Sequence, residues 1–208
     1  MNDREIIEFV KPFTMVSEER VQNVLQSVQN AINNNIAGDF VEIGVWKGGI
    51  IMAMALKCKQ MGVTRKIHAY DTFQGMTSPS FVDVDLNGND AQSILPQVMC
   101  YSSFQETKGN IDKVDYPHIE YHMGDILKTN LALIPQAIAV LRLDTDWYEL
   151  TKFEIEHFEP NVSLSGIIII DDYGHWQGCK KAVDEFISTK PHLLLQHIDY
   201  TGVYWVKS

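Results

Sequence analysis

The chain has 208 residues, 45% hydrophobic and 21% charged, with 17 Lys and Arg against 27 Asp and Glu for a net charge of −10. That composition is ordinary for a globular chain and excludes disorder and fibrous repeats, and the length suits a single domain, residues 1–208, with its own core. So acidic a surface repels phosphate backbones, which excludes nucleic-acid binding through a basic face while leaving room for a cation or a cationic cofactor.

Met1 to Glu5 lack the basic-then-apolar order of a signal peptide, and no apolar run approaches the roughly 20 residues of a membrane helix. Cys58, Cys100 and Cys179 form no CxxC pair, which argues against a disulfide framework or a thiolate zinc site. A cytoplasmic protein without a membrane partner is the expectation.

Within residues 1–36, Ser17 can cap a helix on which Val21, Val24, Leu25, Val28 and Ile32 recur at helical spacing. Asp39 to Ile43 reads as a short strand running into Gly44. After Gly48-Gly49, the apolar run Ile50 to Leu56 reads as a well-buried helix stopping at Gly62. Lys66 to Tyr70 is a second strand, ending at Asp71. Residues 72–116 are polar and rich in turns, with helical character only over Ala91 to Met99, and read as an insertion covering a site rather than a second domain. Further strands fit His118 to Met123, Ala139 to Leu143 and Gly166 to Ile170. Helices fit Asn130 to Ile134, Tyr148 to Phe158, and the stretch carrying Cys179, Ala182, Val183, Phe186 and Ile187. Leu193 to Ile198 and Val203 to Trp205 flank Asp199-Tyr200-Thr201-Gly202, a hairpin signal. Strands alternating with helices predict an α/β, doubly wound and mostly parallel sheet. The appended antiparallel hairpin suits the methyltransferase variant of this Rossmann-like fold.

Two constellations carry chemistry. In the first strand-to-helix turn, Glu42-Ile43-Gly44-Val45-Trp46-Lys47-Gly48-Gly49, bulky Trp46 stands where a dinucleotide fingerprint wants its second glycine, which disfavours a diphosphate. Glu42 and Asp71 instead suit a cofactor with a cationic head and a free ribose, as S-adenosylmethionine has. The second constellation pairs Leu141-Arg142-Leu143-Asp144-Thr145-Asp146-Trp147-Tyr148 with Ile167 to Ile170 and Asp171-Asp172-Tyr173. Both place carboxylates just beyond apolar strands, at the edge where open α/β sheets bind ligands. Gathered there, they would repel one another unless a hard cation such as Mg²⁺, Mn²⁺ or Ca²⁺ joined them. His175 follows closely and is a candidate base or orienting group. Asp83 to Gly88 opens like a calcium loop, but its twelfth position is Ile94, and it is set aside as a chance match. His68, His118, His122, His157, His192 and His197 show no metal-ligand spacing and are read as structural or exposed.

On these motifs, together with Pro12-Phe13-Thr14-Met15 and Asp71-Thr72-Phe73-Gln74-Gly75-Met76, the chain resembles the macrocin O-methyltransferase (TylF-type) family of S-adenosylmethionine- and metal-dependent enzymes. The resemblance implies a class I methyltransferase fold with Asp144, Asp171 and Asp172 as metal ligands and Asp146 as general base. It also implies that Glu42, Gly44, Trp46, Gly48 and Asp71 contact the cofactor. Thr14, Met15 and Ser103 would close over it, residues 1–36 forming a lid, and Asp125 would hydrogen-bond the adenine. The acceptor would be a hydroxyl of a small molecule, a sugar or a phenolic natural product, on a possible homodimer. Two other classes compete: a divalent-metal-dependent nucleotide-sugar transferase using Asp144 and Asp146, and a non-catalytic module that only binds S-adenosylmethionine.

Overall fold

The computed structural model describes residues 1–208. Strands β1 (Asp39–Ile43), β2 (Ile67–Asp71), β3 (Ile119–Met123), β4 (Ile138–Leu143), β5 (Val162–Ile170), β6 (Gln196–His197) and β7 (Val203–Val206) form one sheet. Its order is β3-β2-β1-β4-β5-β7-β6. β1 to β5 are parallel, while β7 runs antiparallel to β5 and to β6, so the expected doubly wound sheet with its terminal hairpin is present.

Helices α1 (Asp3–Val10), α2 (Glu18–Asn33), α3 (Gly49–Gln60), α4 (Ala91–Val98), α5 (Phe104–Ile111), α6 (Tyr148–Phe158) and α7 (Gln177–Ser188) complete the chain. Strands buried on both faces need apolar side chains on both, and β4 (Ile-Ala-Val-Leu-Arg-Leu) supplies them with one exception, Arg142. Phe40, Ala69, Val140 and Ile169 point to the layer formed by α1, α2 and α3, while Val41, Leu141, Ile168 and Trp205 point to the layer formed by α6 and α7. α3 is buried nearly all round, as its unbroken apolar run requires.

Register sets the site. Ile43 lies opposite Leu143, and Leu143 opposite Ile170. The next residues stay in step: the Asp144 amide donates to the Ile43 carbonyl (2.9 Å) and the Asp171 amide to that of Leu143 (3.0 Å). Gly44, Asp144 and Asp171 therefore stand abreast where the strand order reverses between β1 and β4.

Two local expectations are corrected, and one helix, α1, adds to them. Asn130 to Ile134 forms one 3₁₀ turn, Leu131–Leu133, because Pro135 forces Ile134 into extended backbone (φ −68°, ψ 129°). α1 forms through a reciprocal cap in which the Asn2 side chain and that of Glu5 each accept the other's backbone amide. α5 forms because the Ser103 hydroxyl accepts the Glu106 amide (3.2 Å).

The segment between β2 and β3 is bound to the body rather than loose. Asp83, fully buried, accepts the Tyr148 amide (2.8 Å) and so caps the start of α6, and its other oxygen accepts the Ser80 amide and hydroxyl. Asp85 accepts the amides of Asn87 and Asn89 and closes a turn of its own. The calcium-like spelling is thus an anchoring device.

Candidate active site

A cavity of about 320 Å³ opens at the carboxyl edge of β1, β2, β4 and β5. Its floor on the β1–β2 side is made by backbone. Gly44 has φ +86°, and a Cβ there would lie 1.8 Å from the Asp144 carbonyl oxygen, so only glycine fits. Asp71 Oδ2 accepts the amides of Val45 (2.7 Å) and Trp46 (3.0 Å), and Oδ1 accepts that of Phe73 (2.7 Å). The carboxylate thereby fixes the turn around the cavity, with Trp46 (φ 46°) and Phe73 (φ 53°) in left-handed backbone on either side of it. The Thr107 hydroxyl donates to the Trp46 carbonyl and ties α5 to the same turn.

The β4–β5 side is made by charge. Oxygens of Asp144, Asp171 and Asp172 all lie within 4.8 Å of one another. Beneath them Arg142, 1% exposed, donates to Glu42 (2.7 Å), to Asp144 (2.7 Å) and to Asp171. Arg20, reaching in from α2, pairs with the other oxygen of Asp171 and with Asp199 (2.9 Å). Two guanidinium groups thus face five carboxylates, those of Glu42, Asp144, Asp171, Asp172 and Asp199. Burial pushes the carboxyl of Asp172 well above the ordinary range, with the charges of Asp146 and Asp144 adding to it. Burial also raises Asp171, against the opposing pull of Arg142. Glu42 is pushed up to about 8, chiefly by burial.

Asp146 occupies left-handed backbone (φ 67°). Its carboxylate accepts the Trp176 indole N–H (2.7 Å), and Trp176 packs edge-on against Trp147 with ring centroids 4.9 Å apart. Burial, then the neighbouring Asp144, pushes its proton affinity up. His175 also lines the cavity, its Nδ1 buried without a partner. The wall opposite carries Cys100, whose thiol is pushed up to about 12 by burial and by Asp146, so it stays neutral.

The structure brings together Thr14, Met15, Glu42, Gly44, Trp46, Asp71, Asp144, Asp146, Asp171, Asp172 and His175 around this one cavity. Gly48, Ser103 and Asp125 stand apart from it. Gly48 begins α3 (φ +91°), where a Cβ would meet Ile111 at 2.6 Å. Ser103 caps α5. Asp125 accepts the Leu127 amide (3.1 Å) and pairs with Lys128 (3.0 Å), leaving Gly124 and Ile126 to line the cavity. Arg142 and Arg20 were missed as site residues. An arginine inside an otherwise apolar strand was the available signal for the first; nothing local marks the second.

Two orphaned atoms indicate what fits. Glu42 Oε2 and Asp172 Oδ2 are buried without hydrogen-bond partners, and both residues line the cavity. The first suits a donor or cationic group entering over Gly44. The second, with Asp144 and Asp171 beside it, gives an all-oxygen set for a hard divalent cation.

Comparison with known proteins places this geometry. The family model described as macrocin-O-methyltransferase (TylF) matches residues 10–207. Demethyldecarbamoylnovobiocin O-methyltransferase of Streptomyces niveus is 34% identical over 206 residues, 94% of this chain and 76% of that protein. Mycinamicin III 3''-O-methyltransferase of Micromonospora griseorubida is 30% identical over 210 residues, 94% of this chain and 78% of that one. The solved O-methyltransferase NovP superposes with a TM-score of 0.83 at 31% identity, over 94% of this chain and 82% of its own. An O-methyltransferase from Bacillus cereus, solved in complex with SAH, shares the fold at 15% identity and a TM-score of 0.61, over 99% of this chain and 90% of its own. No helix here is long and apolar enough to cross a membrane.

Proposed function

The chain belongs to the macrocin O-methyltransferase (TylF) family, an O-methyltransferase among O-methyltransferases, and from that premise we propose that it methylates a hydroxyl of a sugar or phenolic natural product with Mg²⁺ as its metal. The observation that carries the reading is the meeting of Asp144, Asp171 and Asp172 at the rim of the cavity that Gly44 and Asp71 shape. S-adenosylmethionine supplies an electrophilic methyl group on sulfur. Glu42, Gly44, Trp46 and Asp71 are the residues that would hold it, with Thr14 and Met15 lining the wall above.

Asp144, Asp171 and Asp172 would hold the cation, whose chemistry is to lower the pKa of an acceptor hydroxyl. The chain's own part is alignment and proton removal. Asp146, held by the Trp176 indole and raised in proton affinity by burial, would take the hydroxyl proton. Trp147 and Trp176, both buried, pack edge-on beside it. Arg142 and Arg20 hold Asp171 from two sides, so the carboxylates keep their positions without relying on the ion alone.

The test is calorimetry with S-adenosylhomocysteine, with and without Mg²⁺, followed by turnover on a panel of sugar and phenol acceptors. The expected result is homocysteine-nucleoside binding in both conditions and transfer only with the cation present. Asp144→Ala should keep the first and lose the second. Transfer at full rate in EDTA would overturn the metal assignment, and binding of a uridine diphosphate sugar in place of the nucleoside would overturn the whole reading.

A further inference from the structure

At the opposite end of β2 from Asp71 lies a second cluster that the reaction does not use. His68 lies opposite Glu120 in the β2–β3 register, and Tyr70 lies opposite His122. All four side chains therefore share one face of the sheet. His68 Nδ1 is 3.0 Å from His122 Nε2 and 3.5 Å from Glu120 Oε2. The three residues' ligand atoms lie within 4.8 Å of one another. His68 is 4% exposed, and its other nitrogen, Nε2, is 3.0 Å from Asp39 Oδ2 on β1.

We infer that His68, His122 and Glu120 form a site for a zinc-class divalent cation, with Asp39 orienting the His68 ring from behind. Two independent observations support it. The first is spacing: ligands 2.0–2.1 Å from a tetrahedral zinc stand roughly 3.3 Å apart, close to the separations found here. The second is orientation. Asp39 accepts from Nε2 of the buried His68 ring, the carboxylate–histidine arrangement that stands behind metal-ligating imidazoles, and this turns Nδ1 toward His122 and Glu120. Lys66 pairs with Glu120 Oε1 (2.7 Å) and leaves Oε2 facing the two rings.

The supporting geometry suits such an ion. His122 stacks on Tyr70, with centroids 4.0 Å apart, which fixes its ring. The Glu120 side chain is 48% exposed, which gives an entry path and leaves the fourth position to water. Two imidazoles and one carboxylate select zinc, cobalt or nickel over Mg²⁺. Bound there, the ion ties edge strand β3 to β2, and through Asp39 to β1.

The test uses the full chain, stripped with EDTA and held in excess Mg²⁺ to occupy the Asp144 cluster. It is titrated with Zn²⁺ by calorimetry and with Co²⁺ by visible absorption. One equivalent should bind, with the strong visible bands of tetrahedral cobalt. Zinc at a hundredfold its Kd should raise the thermal midpoint by about 5–10 °C. His122→Ala and the isosteric Glu120→Gln, the latter at a half-exposed side chain, should each weaken binding at least about tenfold, and Asp39→Asn by about 10–100-fold. Asp144→Asn should leave it intact, and methyl transfer by Glu120→Gln should be unchanged. Equal zinc affinity in wild type, His122→Ala and Glu120→Gln, or loss of the site in Asp144→Asn, would overturn the assignment.

Discussion

The cavity has two halves built on opposite physical plans. Toward β1 and β2, backbone does the shaping: a glycine with no room for a Cβ, and an aspartate whose oxygens are held by three amides. Toward β4 and β5, side chains do it: carboxylates too close to stand alone, held by the buried Arg142 and the half-buried Arg20. Backbone amides cannot titrate and barely move, which suits binding a cofactor of fixed shape. Carboxylates can exchange protons and accept a cation, which suits the step where charge changes hands. Arg142 joins the plans, touching Glu42 on one side and Asp144 and Asp171 on the other.

The largest separation of the halves should come from Asp146→Asn. The isosteric amide keeps the fold and the cofactor half, so affinity for S-adenosylhomocysteine should stay within about twofold while turnover falls ~10²–10⁴-fold, the usual worth of a general base. Normal turnover would move the role to His175. Next is Arg142→Met, which strikes both halves at once. It leaves Glu42 and Asp171 buried without this partner and should cost about 3–5 kcal/mol in urea denaturation. A smaller loss would mean that Arg20 alone can hold the β4–β5 side. Asp71→Asn strikes the cofactor half only. It weakens charge-assisted bonds to three amides, so the nucleoside should bind about tenfold or more weaker while stability falls by about 1–3 kcal/mol.

The contrast also separates what could be read in advance. Apolar runs ending in acids made the strand tips at Asp71, Asp144 and Asp171 legible, because a parallel strand buried on both faces has a clear pattern and a definite end. What was not legible depends on tertiary packing and register. Arg20 meets Asp171 across 151 residues through the packing of α2 on the sheet, and His68 meets His122 across 54 through the β2–β3 register. Ser103 and Asp125, cofactor contacts by the family resemblance, cap α5 and the 3₁₀ turn after β3, roles that serine and aspartate before a helix also fill.

A last expected effect, confined to a shift with pH, lies beneath the β4–β5 half. Glu154 on α6 is fully buried and bonded to the Thr145 hydroxyl (2.9 Å). Burial pushes its carboxyl from the ordinary 4.5 up to about 8. The folded chain therefore holds a proton that the unfolded chain has released between these two values, and stability drops as pH rises through that window. Glu154→Gln fixes the neutral form. Variant and wild type should unfold alike near pH 4.5, and the variant should be the more stable at pH 8.5, by on the order of 1–4 kcal/mol. Urea midpoints at the two pH values read the difference directly. Parallel curves would mean that Glu154 ionises in place at no cost, and the β4–β5 half would then tolerate one more negative charge than its two arginines explain.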